Sequence, residues 1–183
     1  LQYSEGILLV SEPFMSDPNF SRSVVVITLI EPWGIQGLIL NKPIQQTLGK
    51  VLPDFPYHDI PLFYGGPVHT DHLYFLHTIE AIKHASHCIG PNVYAGYDIH
   101  ALKAHLLLYP EKKQQVRFFL GNSGWDLYQL QEEIADNSWI IGPKINARAL
   151  LEIPSALLWK TILIEKGAGF QEMANFPNDP SLN

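Results

Sequence analysis

Gly121-Asn122-Ser123-Gly124-Trp125 places a serine between a segment that reads as a strand and one that reads as a helix. In that context a sharp turn can expose a nucleophilic hydroxyl beside backbone donors. Such an elbow needs small residues two before and two after the serine, and Trp125 breaks the pattern that Gly121 begins. The hydrolase or transferase alternative pairs Ser123 with His77. The plainer alternative is a strand-to-helix turn anchored by a buried Trp125.

Other constellations carry weaker chemistry. His69, His72, His77, His84, His87 and Cys88 fall close together, but neither their spacing nor a second thiol supplies a zinc set. No metal and no cofactor is expected. Gly65-Gly66-Pro67 resembles a phosphate-wrapping turn, although tight turns use the same residues. Asp126 with Gln129 reads as a capping box, and Asn137 suits the left-handed position after the helix. Glu133 stands one turn from Gln129 and is left over by that account. Asn41-Lys42, Gly65-Gly66 and Asn122-Ser123 each follow an expected strand, so their polar ends could open onto one crevice.

The secondary structure around these residues follows from sequence pattern. Strands are expected at Gly6 to Val10, Ser23 to Ile30, Ile35 to Leu40, Leu62 to Tyr64, Leu73 to His77, Val93 to Ala95, Gln115 to Leu120 and Ser138 to Ile141. Pro43 is expected to end the third of them, with a short helix at Gln46 to Leu52. Asp98 reads as an N-cap ahead of the stripe Ile99, Leu102, Leu106 and Tyr109, which Pro110 ends. Further helices are expected at Asp126 to Asp136 and at Ser155 to Lys166, closed by Gly167. One domain, 1–167, is followed by a loosely ordered tail, 168–183. Early hairpins and later strand–helix alternation point to α+β with a mixed sheet.

Composition excludes several classes. At 183 residues and 46% hydrophobic, the chain can bury a core of its own, about 70% of its unfolded surface. One cysteine rules out a disulfide framework. No apolar run approaches the roughly 20 residues of a membrane span, and no leader pattern opens the sequence, so a cytoplasmic location is expected. Eighteen acidic against twelve basic residues give a net charge of -6. Direct nucleic-acid binding, which needs a basic stripe, is not expected.

In order along the chain, the motifs resemble the YqgE/AlgH family. Pro13 through Val25, with Asp17, Pro18, Phe20 and Ser23, matches its opening signature. Asn41-Lys42-Pro43, Gly65-Gly66-Pro67-Val68 with Leu76-His77, and Gly121 through Trp125 follow, as do Gln129, Glu133, Asn137 and Trp139. The resemblance covers about Gly6 to Gly167. It implies an α+β domain whose largely antiparallel, bifurcated sheet curls toward a pseudo-barrel. It also implies a bacterial cytosolic protein labelled a transcriptional regulator, without an established biochemical activity. Thr28 stands where members often carry a cysteine, and Ser123 where they often carry alanine.

The combined expectation is a non-enzymatic regulatory or interaction module. It would hold a protein or small-molecule partner in a strand-end crevice formed by Asp17, Asn41, Lys42, Gly65, Gly66, His77, Ser123, Gln129 and Glu133. Pro18, Phe20, Ser23, Pro43, Pro67, Gly121, Trp125, Asn137 and Trp139 would form its framework. Substitution of Asn41 or Lys42 is then expected to leave the fold intact while abolishing binding.

Overall fold

Val24-Val25-Val26-Ile27 is apolar without alternation because both faces of its strand are covered. Val24 and Val26 pack with Leu8 and Leu38 on the concave side, and Val25 and Ile27 with Leu9 and Ile39 on the convex side. The computed structural model describes residues 3–179 and 181, and places this strand within a strongly curled sheet.

In chain order the strands are β1 (Ile7–Ser11), β2 (Val24–Glu31), β3 (Gly34–Ile39), β4 (Pro43–Thr47), β5 (Pro61–Tyr64), β6 (Val68–His77), β7 (Ser86–Gly90), β8 (Val93–Gly96), β9 (Val116–Trp125) and β10 (Trp139–Lys144). The helices are α1 (Leu48–Val51), α2 (Ile99–Leu108), α3 (Leu127–Ala135), α4 (Ser155–Lys166) and α5 (Phe170–Met173). The main path of the sheet runs β10-β1-β2-β3-β9-β6-β8-β7, with β4 and β5 branching from it. The long β9 causes the fork. Its first half pairs in parallel with β5, through Phe118 to Leu120, and its second half pairs antiparallel with β3, through Ser123 to Trp125. The β7 edge then returns toward β1. A Cβ on Gly6 would sit 1.6 Å from the Ile89 carbonyl oxygen, so only glycine lets the two segments approach this closely. The result is the bifurcated half-barrel, with helices around it.

Three apolar clusters hold it together. Helix α4 fills one end of the concave face, setting Leu158, Trp159, Ile162 and Leu163 against Leu8, Val10, Val24 and Ile140. Helix α2 lays Leu102 and Leu106 over Phe75 and Phe118. Helix α3 covers the convex face with Leu130, beside Trp125 and Trp139. Each fully buried Leu or Phe in these clusters contributes about 1.5–3 kcal/mol.

Cap chemistry fixes the helix ends. Asp98 accepts from His100 and Ala101 N–H, and Asp126 from Tyr128 and Gln129 N–H, satisfying free first-turn donors. The Asp126 box is one-sided, because the Gln129 side chain turns to Glu133 instead. Asn137, at φ 61°, closes α3: its N–H meets the Ile134 carbonyl and the Ser138 N–H meets that of Glu133.

Several local expectations are corrected. Pro43 opens β4 rather than only ending its predecessor, since an edge strand tolerates a missing donor. Strand β7 has no counterpart among the expected elements. Gly121 through Trp125 is not a turn but the second half of β9. Pro110 starts a 3-10 turn, Pro110–Gln115. The expected loose tail, of which 180, 182 and 183 lie outside the described residues, begins as packed structure. Phe170, Met173 and Ala174 join the α4 cluster, Phe176 stacks on Phe14 at 5.7 Å, and Arg22 donates to the Phe176 and Pro177 carbonyls.

Candidate functional site

The three expected strand ends do converge, but as framework. Asn41 behaves like one more residue of a β-ladder: its Oδ1 accepts from Val24 N–H at 2.9 Å and its Nδ2 donates to the Arg22 carbonyl at 2.9 Å. Lys42 Nζ donates to the carbonyls of Pro18 and Asn19 at 3.0 and 2.7 Å, tying the loop between β1 and β2 to the β3–β4 corner. Burial lowers the Lys42 pKa, and the nearby Asp17 charge acts the other way. Asp17 is itself exposed and caps Asn19 N–H, while Asn19 Oδ1 accepts from the Tyr64 hydroxyl at 2.8 Å. Within the same loop Ser23 is buried, its hydroxyl donating to the Phe20 carbonyl.

Gly65 and Gly66 do not wrap an anion. Gly65 N–H is spent on the Leu120 carbonyl, and the Gly65 carbonyl accepts from Ile39 N–H and from the Ser123 hydroxyl at 3.0 Å. A Cβ on Gly65 would lie 2.2 Å from the Gly121 carbonyl oxygen, so these glycines exist for close backbone approach. Pro67, exposed, leads into β6. Ser123 is completely buried in β9 and cannot present its hydroxyl to a substrate. His77 pairs with Val116 in the β6–β9 ladder, seven residues before Ser123. At about 3.3 Å per residue that separates the two by about 23 Å, so they form no dyad.

His77 has its own partners. Its Nδ1 accepts from Ile79 N–H at 3.1 Å, so Nε2 carries the proton and donates to Ser86 Oγ at 2.6 Å. The ring stacks between Phe75 and Tyr94. Burial, assisted by the charge of His105, pushes its pKa down to about 4. It is a neutral core histidine.

Glu133 supplies the clamp for the convex face. Its Oε2 accepts the indole N–H groups of Trp125 and Trp139 at 2.9 and 2.8 Å, and its Oε1 accepts from Gln129 at 2.8 Å. Phe20 packs against both indoles. Both indoles are buried, so the clamp holds the fold, and Trp125 and Gln129 also border a shallow cleft of about 460 Å³ beside β3. Among the described residues no group of three or more His, Cys, Asp or Glu is placed to hold a metal.

Asn41 and Lys42 also border a cleft of about 380 Å³, with Arg22, Ser155 and Trp159 on its walls. A more apolar space lies elsewhere. A half-enclosed trough of about 580 Å³ lies between β2–β3 and β6–β8, beside the start of α2. Leu29, Leu38, Leu73, Phe75 and Ile99 supply apolar wall, Ala95 and Gly96 a low stretch of β8, and Tyr97 a lip. Its polar groups are few: Thr28 and Gln36, which hydrogen-bond each other, Tyr74, and His87, held by Glu5 at 2.6 Å. Thr28 faces the trough from the same side of β2 as Val24 and Val26, and the register shift between Ile27 and Leu29, where β2 bulges against β3, lets Leu29 line it as well. Of the residues expected to form the crevice, none lines this trough. Sequence reasoning misses the trough because its lining is ordinary apolar strand sequence; only the bulge and the sheet's closure make a cavity of it.

Comparison with known proteins agrees with this architecture. A family model described as AlgH-like matches residues 8–171. A UPF0301 protein of Bacteroides fragilis is 40% identical over 181 residues, covering 98% of this chain and 91% of its own. A UPF0301 protein of Cytophaga hutchinsonii is 35% identical, covering 98% and 99%. Among solved structures, a protein from Corynebacterium diphtheriae superposes with a TM-score of 0.79 at 18% identity, covering 95% of this chain and 93% of that one. The AlgH protein of Pseudomonas aeruginosa superposes at 0.71 with 24% identity, covering 94% and 93%. These two show the fold. No described helix is long and apolar enough to cross a membrane.

Proposed function

The chain belongs to the AlgH-like family, and from that premise we propose that it is a non-catalytic binding module. Its trough takes the apolar body of a small molecule, and occupancy of the trough sets its interaction with a protein partner in the bacterial cytoplasm. The observation that carries this reading is the 580 Å³ trough, a volume within the usual range for small-molecule sites, with mostly apolar walls and a few polar groups to orient a ligand. The burial of Ser123, whose hydroxyl serves the Gly65 carbonyl, points the same way. The net charge of -6 disfavours direct contact with a polyanion, so the regulatory role is assigned to a protein partner rather than to DNA.

Non-denaturing mass spectrometry of protein isolated from its native cells tests the proposal. The expected result is a fraction of the chains carrying one small, apolar-bodied adduct that organic solvent releases. A single bare-chain mass from freshly lysed cells would argue against it.

A further inference from the structure

Another cleft, of about 310 Å³, lies between β5, the start of β9 and the turn Arg148–Glu152. Ile60, Pro61, Val116 and Leu151 give it apolar walls, and Phe63 lies beside them. Into this surface the chain places Arg117, whose guanidinium stacks over the Phe63 ring at 4.4 Å. Arg117 Nη1 is buried and has no hydrogen-bond partner. None of the ion pairs among the described residues includes Arg117.

Arg117 is partly exposed, but its Nη1 is out of water, and the cost of desolvating that nitrogen is not offset by any hydrogen bond. Burial alone lowers its pKa to about 10, well above neutrality, so the charge persists. Such a group is completed by a planar oxyanion that accepts two parallel N–H bonds. The only other charges lining the cleft are Lys113 and Asp59, paired at 2.9 Å. The cleft therefore carries one net positive charge, and a singly charged anion neutralises it while a dianion overshoots. The volume is near the lower limit for ligand sites, and the walls suit carbon rather than water.

We propose that this cleft is a binding site for a small monocarboxylate with an apolar or aromatic body, its carboxylate on Arg117 and its body against the Ile60–Leu151 walls. The site is separate from the trough, and neither depends on occupancy of the other.

The test is a benzoate titration of nitrogen-15-labelled protein, with sodium chloride holding ionic strength constant and the Arg117 side-chain Nε–H resonance as the reporter. The expected result is a saturable single-site shift, weakened at least tenfold in Arg117→Gln. Lys113→Met, whose side chain reaches the cleft from the surface, leaves the folded spectrum intact and weakens benzoate roughly three- to tenfold by removing the net charge. Inorganic phosphate at pH 8, a dianion, should bind more weakly than benzoate. A shift that never saturates would mean that solvent alone completes the guanidinium, and would overturn the proposal. So would benzoate affinity unchanged in both variants, or phosphate binding more tightly than benzoate.

Discussion

The Trp125 indole N–H donates to Glu133 Oε2 at 2.9 Å, and so joins the end of β9 to the last turn of the helix that follows it. Trp139 donates to the same oxygen from β10 at 2.8 Å, so one carboxylate fixes three consecutive elements. Glu133→Ala leaves both indole donors without their acceptor and should cost about 3 kcal/mol, since hydrogen bonds to a charged group contribute about 1.5–3 kcal/mol each. Glu133→Gln keeps an acceptor oxygen and should cost about half as much. Urea unfolding followed by tryptophan fluorescence checks both. Equal stability of wild type and the alanine variant would show that the clamp is dispensable.

Asn41 gives the second expectation. Its amide satisfies Val24 N–H and the Arg22 carbonyl, two backbone groups with no replacement at hand. Asn41→Ala should lose about 2 kcal/mol, lowering the melting temperature by about 4–8 °C for a chain of this size. This reverses the reading from sequence, in which a polar strand-end residue adds little to the fold. Calorimetry showing a change under 1 °C would restore that reading.

The ends of elements are legible where one side chain does one local job. Asp98, Asp126 and Asn137 announce helix boundaries because cap chemistry is written within four residues. Strands β2 and β3 are legible from their β-branched runs. Gly121 through Ser123 misleads as a turn because glycine is used there for close packing against Gly65 and Gly66, a contact between distant segments. Strand β7 escapes notice because Ser86-His87-Cys88 has neither alternation nor apolar character at a sheet edge. The partners of Glu133 lie within one strand–helix–strand unit, 4 to 8 residues away, whereas the surroundings of Arg117 and the trough bring together distant segments that no short window of sequence encodes.

His77 makes stability depend on pH in a defined window. An unfolded histidine takes up a proton near pH 6.5, but folding pushes this one down to about 4 through burial and the His105 charge. Above pH 6.5 both states are neutral and the full contribution is present. As pH falls from 6.5 toward 4 the unfolded chain binds the proton and the folded one does not, so stability declines, by about 3 kcal/mol in all. Below about pH 4 this residue causes no further loss. Urea midpoints measured between pH 7.5 and 4.5 should fall in the wild type and stay flatter in His77→Gln, whatever the variant's absolute stability. Parallel curves for the two proteins would place the pH dependence elsewhere.

Titration with Nile red, an uncharged dye that the Arg117 cleft has no means to select, tests whether the trough is a ligand site. Ala95 lines the trough on β8, and Ala95→Phe extends a ring into it. The expected result is saturable binding of one dye per chain to the wild type, at least tenfold weaker binding to Ala95→Phe, and melting temperatures within a few degrees of each other. Dye binding that does not saturate, or an affinity unchanged in a folded Ala95→Phe variant, would contradict it.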